Sequence, residues 1–134
     1  MIGLVVNPVA GIGGPAGLAG SDGVDVQSLA AARGSAARAG ERAALALSSL
    51  PPSTEVLTAA GAMGEDAATA AHLEHRVVYT PASGATGLAT GGEVGADTTA
   101  ADTTAAVRAL AAAGATLVLF AGGDGTARDV SAAL

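Results

Sequence analysis

The chain has 134 residues, enough for about one domain, with 50% hydrophobic residues, a formal net charge of −6 and no cysteine. Disulfides and thiolate chemistry are therefore excluded. Only two histidines occur, His72 and His75, and without cysteine they do not provide the ligand set of a zinc site. We interpret both histidines as surface residues near the start of a strand.

Lysine is absent, and the six basic residues are arginines scattered along the chain. This absence excludes the phosphate-binding lysine of a Walker A loop, a Schiff-base nucleophile and the strand lysine of protein kinases. Without a basic stripe, nucleic acid is a poor partner. No apolar stretch approaches the roughly 20 residues of a membrane span, and the N-terminus lacks the positive flank of a signal peptide. We therefore expect a cytoplasmic protein with no membrane partner.

The apolar run Ile2-Gly-Leu-Val-Val6 predicts a first strand, and Asn7-Pro8 ends it because proline cannot donate a hydrogen bond to a ladder. Between residues 11 and 23 glycine is too frequent for a helix or strand, so this segment predicts a loop.

Within that loop, Gly11-Ile-Gly-Gly-Pro-Ala16 fits the dinucleotide fingerprint G-x-G-x-x-G/A. In the fingerprint, the first glycine lies directly at the strand end and a helix begins inside the motif. Here Asn-Pro-Val-Ala separates Val6 from Gly11, and Pro15 argues against a helix. We therefore favour a loop that either lines a phosphate or only turns the chain.

The middle of the chain alternates between helical and extended patterns. Helical character resumes near Glu41 and is predicted to end near Leu50, before two prolines. A strand over Thr54–Thr58, a short helix over Met63–Ala71 and a strand over Arg76–Thr80 follow. This order is that of a βαβ unit.

A second glycine-rich loop covers residues 83–95 and leads to another predicted helix. Thr99 and Asp102 have the spacing of a capping box at its start, and Gly114 is a typical stop at its end. We favour this capping role for Asp102 over a contact with nucleotide.

The most informative segment comes last. The apolar run Ala115–Ala121 predicts a buried strand, and Gly122-Gly-Asp-Gly-Thr126 follows it directly. Glycines let backbone N–H groups come close to phosphate oxygens, and a helix that begins behind the loop adds a favourable dipole. The segment therefore predicts a phosphoryl-transfer site, with Asp124 facing the reacting group.

The alternative interpretation of this segment is a hairpin, because Asp-Gly is a favoured two-residue turn between antiparallel strands. A hairpin needs a second strand, whereas Val130 and Leu134 stand four residues apart among alanines. Thr126 and Asp129 also match the Ser/Thr-x-x-acid pattern of a helix start. The pattern thus favours strand, glycine loop and helix.

Strands that alternate with helices predict an α/β fold with a parallel sheet covered on both faces, in three layers. Ligands of such sheets bind at the carboxyl ends of the strands. Three loops are expected there: residues 7–14, residues 83–102 and Gly122–Thr126.

Four segments, taken in order, together resemble the ATP-NAD kinase superfamily, in particular its archaeal-type ATP-NAD kinase-like branch. They are Asn7-Pro-Val-Ala-Gly-Ile-Gly-Gly14, Met63-Gly-Glu-Asp66, Thr99-Ala-Ala-Asp-Thr103 and Phe120-Ala-Gly-Gly-Asp-Gly-Thr-Ala-Arg-Asp-Val130. The glycine-aspartate (GGDG) motif is shared with diacylglycerol kinases, sphingosine kinases and phosphofructokinases, so it specifies the superfamily. The other segments select the branch.

The resemblance implies an αβα domain of the NAD kinase and diacylglycerol kinase type. It also implies transfer of a phosphoryl group from ATP, or from polyphosphate, to the 2′-hydroxyl of NAD with Mg²⁺, giving NADP. Asp124 would take the proton of the attacking hydroxyl or orient it. No metal-ligating residue is assigned, and the residues implied in nucleotide binding are Asn7, Gly11, Gly13, Gly14, Gly122, Gly123, Gly125 and Thr126.

Members of this superfamily carry a second, β-rich domain with an Asn-Glu/Asp motif, which nothing in residues 1–134 resembles. We therefore expect the chain to be the amino-terminal domain of a longer enzyme, inactive alone and prone to self-association through uncovered apolar surface. Two alternatives stay open: a non-catalytic nucleotide-binding module and a lipid kinase domain.

Overall fold

The computed structural model describes residues 1–10, 38–82 and 98–134. Their strands form a four-stranded sheet in which every pairing is parallel. In chain order the strands are β1 Ile2–Val6, β2 Val56–Ala59, β3 His75–Tyr79 and β4 Leu117–Ala121. The spatial order is β3-β2-β1-β4, so β1 lies inside the sheet between β2 and β4.

Four helices accompany the strands in the described ranges. We label as α1 the helical residues 38–47. A short 3-10 turn at Gly61–Met63 leads into the second helix, and the remaining bounds are α2 Glu65–Ala70, α3 Ala100–Ala112 and α4 Asp124–Ala133.

The inner strands β1 and β2 are buried on both faces of the sheet, and alternate residues of β1 belong to two different cores. Leu4 and Val6 pack with Ala43 and Leu47 of α1, together with residues of α2. Val5, between them in sequence, belongs to the core that α3 and α4 form on the opposite face. This period of two is that of an extended chain buried on both sides. The predicted three-layer α/β fold with a parallel sheet is confirmed.

Small residues bring the layers close together. A Cβ added at Gly3 would lie 3.2 Å from both the Cβ of Ala115 and a methyl group of Leu110, so the glycine allows α3 and the chain after it to approach β1. The hydrophobic core is otherwise made of valine, leucine and alanine, with Met63 as a single methionine among the described residues.

The predicted bounds differ from the observed ones mainly at turns. Thr54 was expected to begin β2, but its N–H donates to the carbonyl of Pro51 at 2.9 Å, so it belongs to the turn after the prolines. The first helix was expected to end near Leu50, whereas α1 ends at residue 47. There the hydroxyl of Ser48 donates to the carbonyl of Leu45 at 2.7 Å, and Leu50 N–H bonds Leu47 in a turn.

The helix predicted over Met63–Ala71 is divided at Gly64, which has φ of 147°. A Cβ at this position would collide with Oγ1 of Thr58, whose hydroxyl donates to the carbonyl of Leu4 at 3.1 Å. Glycine is therefore required where the turn after β2 crosses close to β1.

Two further expectations concern surfaces. His72 is exposed, while His75 is only half-exposed at the start of β3. Leu117 and Phe120 of β4, which has β1 as its partner, are 53% and 42% exposed. Self-association through such apolar surface stays a prediction.

Among the described residues, we find no helix with the length and apolar character needed to cross a membrane.

We predict that Gly64→Ala lowers the free energy of unfolding by about 1–3 kcal/mol, the usual cost of a strained backbone conformation. Urea unfolding followed by circular dichroism measures it. The matched control is Gly40→Ala in α1, where an added Cβ meets nothing within 4 Å. This control should be neutral or stabilising by up to about 1 kcal/mol, because alanine is the better helix former. Equal stabilities of the two variants would contradict the proposed constraint.

Candidate functional site

The order of the strands locates one position in the sheet where a ligand site is expected. From β1 the chain proceeds to β2 and β3 on one side, and it then returns to place β4 on the other side of β1. In open parallel sheets, ligands bind outside the carboxyl ends of the strands at this reversal. Asn7 follows β1 and Gly122 follows β4, so both lie at the reversal point.

A pair of side chains joins the two loops there. Nδ2 of Asn7 donates to Oγ1 of Thr126 at 2.8 Å, across 119 residues of sequence. Oδ1 of Asn7 accepts from Val9 N–H at 3.0 Å, and Asn7 N–H donates to the carbonyl of Ala121 at 2.8 Å. Thr126 is only 3% exposed. The loop after β1 and the first turn of α4 are therefore fixed to each other.

The predicted helix after the glycine loop is confirmed, and the hairpin is wrong. The helix start that we expected from Thr126 and Asp129 is also wrong, because α4 already begins at Asp124 with Gly123 as its N-cap. Thr126 lies inside the first turn and its hydroxyl bonds Asn7 instead of capping the helix. Gly123 has no side chain, so no side-chain cap covers the N–H groups of this helix end.

The three glycines of this loop have different surroundings. A Cβ at Gly122 would collide with the side chain of Thr126, so this glycine makes room for the Asn7–Thr126 contact. A Cβ at Gly123 or Gly125 would meet nothing within 4 Å. A side chain at either position would thus point into open space. Asp124, between them, is exposed.

A cleft of about 630 Å³ lies beside this loop, between α1 and the adjacent strands β1 and β4. Its surface is mainly apolar, with Leu4 and Leu119 from the strands and Ala39 and Ala43 from α1. Its rim is polar: Gly122 and Gly123 belong to the lining, and so do two arginines of α1, Arg38 and Arg42. We did not single out these arginines in the sequence, although their spacing of four residues on a helix is a usable signal.

Beside the carboxyl end of β3, the strand farthest from β4 in the sheet, Asp102 acts as the predicted helix cap. Its carboxylate accepts from Thr99 N–H at 2.8 Å, and Asp102 N–H donates to the hydroxyl of Thr99 at 3.3 Å, which completes the capping box. The hydroxyl of Tyr79 also donates to this carboxylate, at 2.7 Å. The backbone hydrogen bond from Thr99, followed by the bonds from Tyr79 and the Thr99 hydroxyl, lowers the pKa of Asp102. Burial and this hydrogen bond raise the pKa of Tyr79 to about 12.

The segment Met63–Asp66 follows β2 on the same edge of the sheet. Here the carboxylate of Glu65 accepts from Gly61 N–H at 2.8 Å, which closes the turn. Burial, together with the neighbouring charge of Glu65, raises the pKa of Asp66. Glu65 thus stabilises the turn and Asp66 is partly buried beside it, and neither carboxylate lines the cleft.

Some of the predicted nucleotide-binding residues lie outside the described residues. They are Gly11, Gly13 and Gly14. The second glycine-rich loop, residues 83–95, also lies outside the described residues. Asn7, Gly122, Gly123, Gly125 and Thr126 are brought together with Asp124 at one edge of the sheet. In the described ranges, no group of three His, Cys, Asp or Glu side chains could hold a metal ion.

Comparison with protein families gives one match. The family model described as "ATP-NAD kinase N-terminal domain" matches residues 2–134, essentially the whole chain. No significant match was found among curated proteins or among solved structures.

We predict that Asn7 and Thr126 are energetically coupled. Asn7→Ala and Thr126→Val each remove the 2.8 Å hydrogen bond, so the double variant should be more stable than the sum of the single losses predicts. The expected coupling is about 0.5–3 kcal/mol in a double-mutant cycle of urea unfolding. Thr104→Val, on α3, paired with Asn7→Ala is the control and should be additive within about 0.5 kcal/mol. Additivity of the Asn7 and Thr126 variants would contradict the coupling.

The chain has one tyrosine and no tryptophan, so ultraviolet absorbance reports Tyr79 alone. We predict that its ionisation has a midpoint near 12 in the folded protein and near 10 in urea. The raised folded-state pKa means that this environment stabilises the fold below pH 10, and that the contribution is lost as the pH rises toward 12. Asp102→Asn should lower the midpoint only partly, because burial is the larger cause. Circular dichroism at each pH verifies folding, and a folded-state midpoint near 10 would contradict the assignment.

Proposed function

Because the chain belongs to the ATP-NAD kinase N-terminal domain family, we propose that it moves a phosphoryl group of ATP to the 2′-hydroxyl of NAD. The family itself supports a kinase-type function with ATP and NAD as the nucleotides. The specific reaction, its product NADP and the residues that perform it are our proposal.

The observation that carries the proposal is the hydrogen bond between Asn7 and Thr126 at the strand reversal. It fixes the first turn of α4, where no side chain caps the N–H groups after Gly123 and where a Cβ at Gly123 or Gly125 would meet nothing within 4 Å. Uncapped N–H groups at the start of a helix bind phosphate oxygens well, because the helix dipole favours negative charge there. We therefore place the transferred phosphoryl group in front of Gly123 and Gly125.

In the proposed reaction, the 2′-hydroxyl oxygen attacks the γ-phosphorus, the bond from that phosphorus to the β–γ bridging oxygen breaks, and ADP leaves. Asp124 accepts the proton of the hydroxyl or orients it toward phosphorus. Its position as the exposed first residue of α4 puts a carboxylate beside the proposed phosphate position. Phosphoryl transfer needs little covalent assistance from a protein, so positioning and N–H donors supply most of the catalysis.

Mg²⁺ fits this site as an ion held mainly by nucleotide and water. Magnesium usually keeps several waters and uses one or two carboxylates together with phosphate oxygens. Asp124 is the carboxylate of this loop, and the described residues contain no larger cluster of metal ligands. When bound, the ion would neutralise charge on the phosphates.

We also propose that a second domain supplies contacts to the acceptor, because the matching model describes the N-terminal domain of the family. Holding two reactants together contributes up to about 7–11 kcal/mol to such reactions. Polyphosphate in place of ATP, and a cytoplasmic location, stay predictions.

Gly123→Val tests the phosphate position. An added Cβ meets nothing within 4 Å, and φ of −96° is allowed for valine, so the fold should be unchanged. The side chain would occupy phosphate space, and we expect ATP binding, measured by titration calorimetry, to weaken by at least about tenfold, the scale of one hydrogen bond to a charged group. Gly40→Val, at another open glycine that does not line the cleft, should bind ATP like the wild type. Unchanged binding by Gly123→Val with an intact circular dichroism spectrum would refute the phosphate loop.

Asp124→Asn tests the proposed acid–base residue in an assay that contains ATP, Mg²⁺, NAD and the complete enzyme. We expect nucleotide binding to persist and NADP formation to slow by about 10²–10⁴-fold, the usual contribution of a positioned acid or base. Asp129→Asn, further along α4, is the control and should keep the wild-type rate. Wild-type turnover by Asp124→Asn would remove this residue from the mechanism, and binding without any turnover in the wild type would favour a non-catalytic module.

A further inference from the structure

We propose that Arg38 and Arg42 of α1 bind the triphosphate chain of the donor in the cleft that they line together with Gly122 and Gly123. This inference rests on the proposed function, because it assigns the second half of the same phosphate site. It gives α1 a binding role in addition to its role in the core.

The geometry begins with the cleft itself. Both arginines and both glycines line the same space of about 630 Å³. Residues four apart on a helix lie on one face, with Cβ atoms about 5–6 Å apart, so the two guanidinium groups extend from the same side of α1. The other lining residues of α1 are Ala39, Ala43, Ala46 and Leu47. Three of these four are alanines, so the two arginines are the long polar side chains of this wall.

The charge balance supports a binding role for this pair. The chain has a net charge of −6, and the proposed site carries the carboxylate of Asp124, so a polyanion such as ATP is repelled unless cations lie close to it. Lysine is absent from the chain, so arginine is the only permanently charged cation available. Two of the six arginines line this one cleft. Glu41, the carboxylate between them in sequence, is exposed and does not belong to the lining.

The chemistry of arginine suits a phosphate chain. A guanidinium presents several N–H donors in a plane and can bond two oxygens of one phosphate or of adjacent phosphates. With backbone N–H groups on the glycine side and guanidinium groups on the α1 side, phosphate oxygens would have donors on two sides. The apolar floor formed by Leu4 and Leu119 favours a donor that also carries a nucleoside over inorganic polyphosphate.

The experiment measures binding of ATP and of inorganic tripolyphosphate by titration calorimetry at two salt concentrations. The variants are Arg38→Ala, Arg42→Ala, the double variant and a double lysine variant. Arg108→Ala is the matched control, because Arg108 is an exposed arginine of α3 on the opposite face of the sheet. Both cleft arginines are exposed, so the variants should fold, and circular dichroism verifies it.

We expect each alanine variant to bind both probes about tenfold more weakly and the double variant on the order of a hundredfold more weakly, the scale of one charge-assisted hydrogen bond per arginine. The salt dependence of binding should decrease in the double variant. The double lysine variant should recover part of the affinity, because it restores the charge without the paired N–H geometry. Arg108→Ala should bind within about twofold of the wild type.

If the double alanine variant binds ATP within twofold of the wild type while Gly123→Val does not, the arginine assignment is wrong and the proposed phosphate loop stands. Weaker binding of ATP with unchanged binding of tripolyphosphate also overturns the inference, because the arginines would then contact the nucleoside. If the folded wild type binds neither probe, the inference and the proposed function both fail.

Discussion

The hydrogen bond between Asn7 and Thr126 is the interaction on which the candidate site depends. Its net contribution to stability is about 1 kcal/mol, yet it fixes the orientation of a loop and a helix that meet only through tertiary structure. Gly122 is constrained by it, since the side chain of Thr126 occupies the space that a Cβ would need. Asn7 is held in turn by Val9 N–H, which leaves its amide one favourable orientation.

The N-termini of α3 and α4 differ in whether side chains satisfy their backbone N–H groups. At α3, Thr99 and Asp102 satisfy each other's backbone N–H groups, and Tyr79 adds a third donor to the same carboxylate. At α4, Gly123 provides no side-chain cap. The N–H groups at the start of α3 are therefore satisfied by side chains of the protein, whereas those at the start of α4 are left without a side-chain acceptor. This contrast agrees with the kinase family and with the position of α4 at the strand reversal.

Most of the fold could be predicted from local pattern. The run Ile2–Val6 gives β1 with the expected bounds, and the capping box of Thr99 and Asp102 gives the start of α3. The site residues after β1 and β4 were expected on the same edge of a parallel sheet, where they are found. The start of α4 was placed wrongly because Thr126 satisfies the capping pattern in sequence while its hydroxyl bonds a residue 119 positions away. Arg38 and Arg42 have a helical spacing in the sequence, but the helix was expected to begin near Glu41, and only the packing of α1 on the sheet brings both arginines into the cleft.

The pairing of β1 with β4 determines when the candidate site can form. The first strand of the chain pairs along its whole length, from Ile2 to Val6, with a strand that begins at Leu117. Contacts between such distant segments require closure of a very long loop, and proteins rich in them fold slowly. During synthesis, β1 cannot acquire this neighbour until β4 has left the ribosome. The candidate site is therefore absent from nascent chains that lack β4, and it forms when β4 joins the sheet.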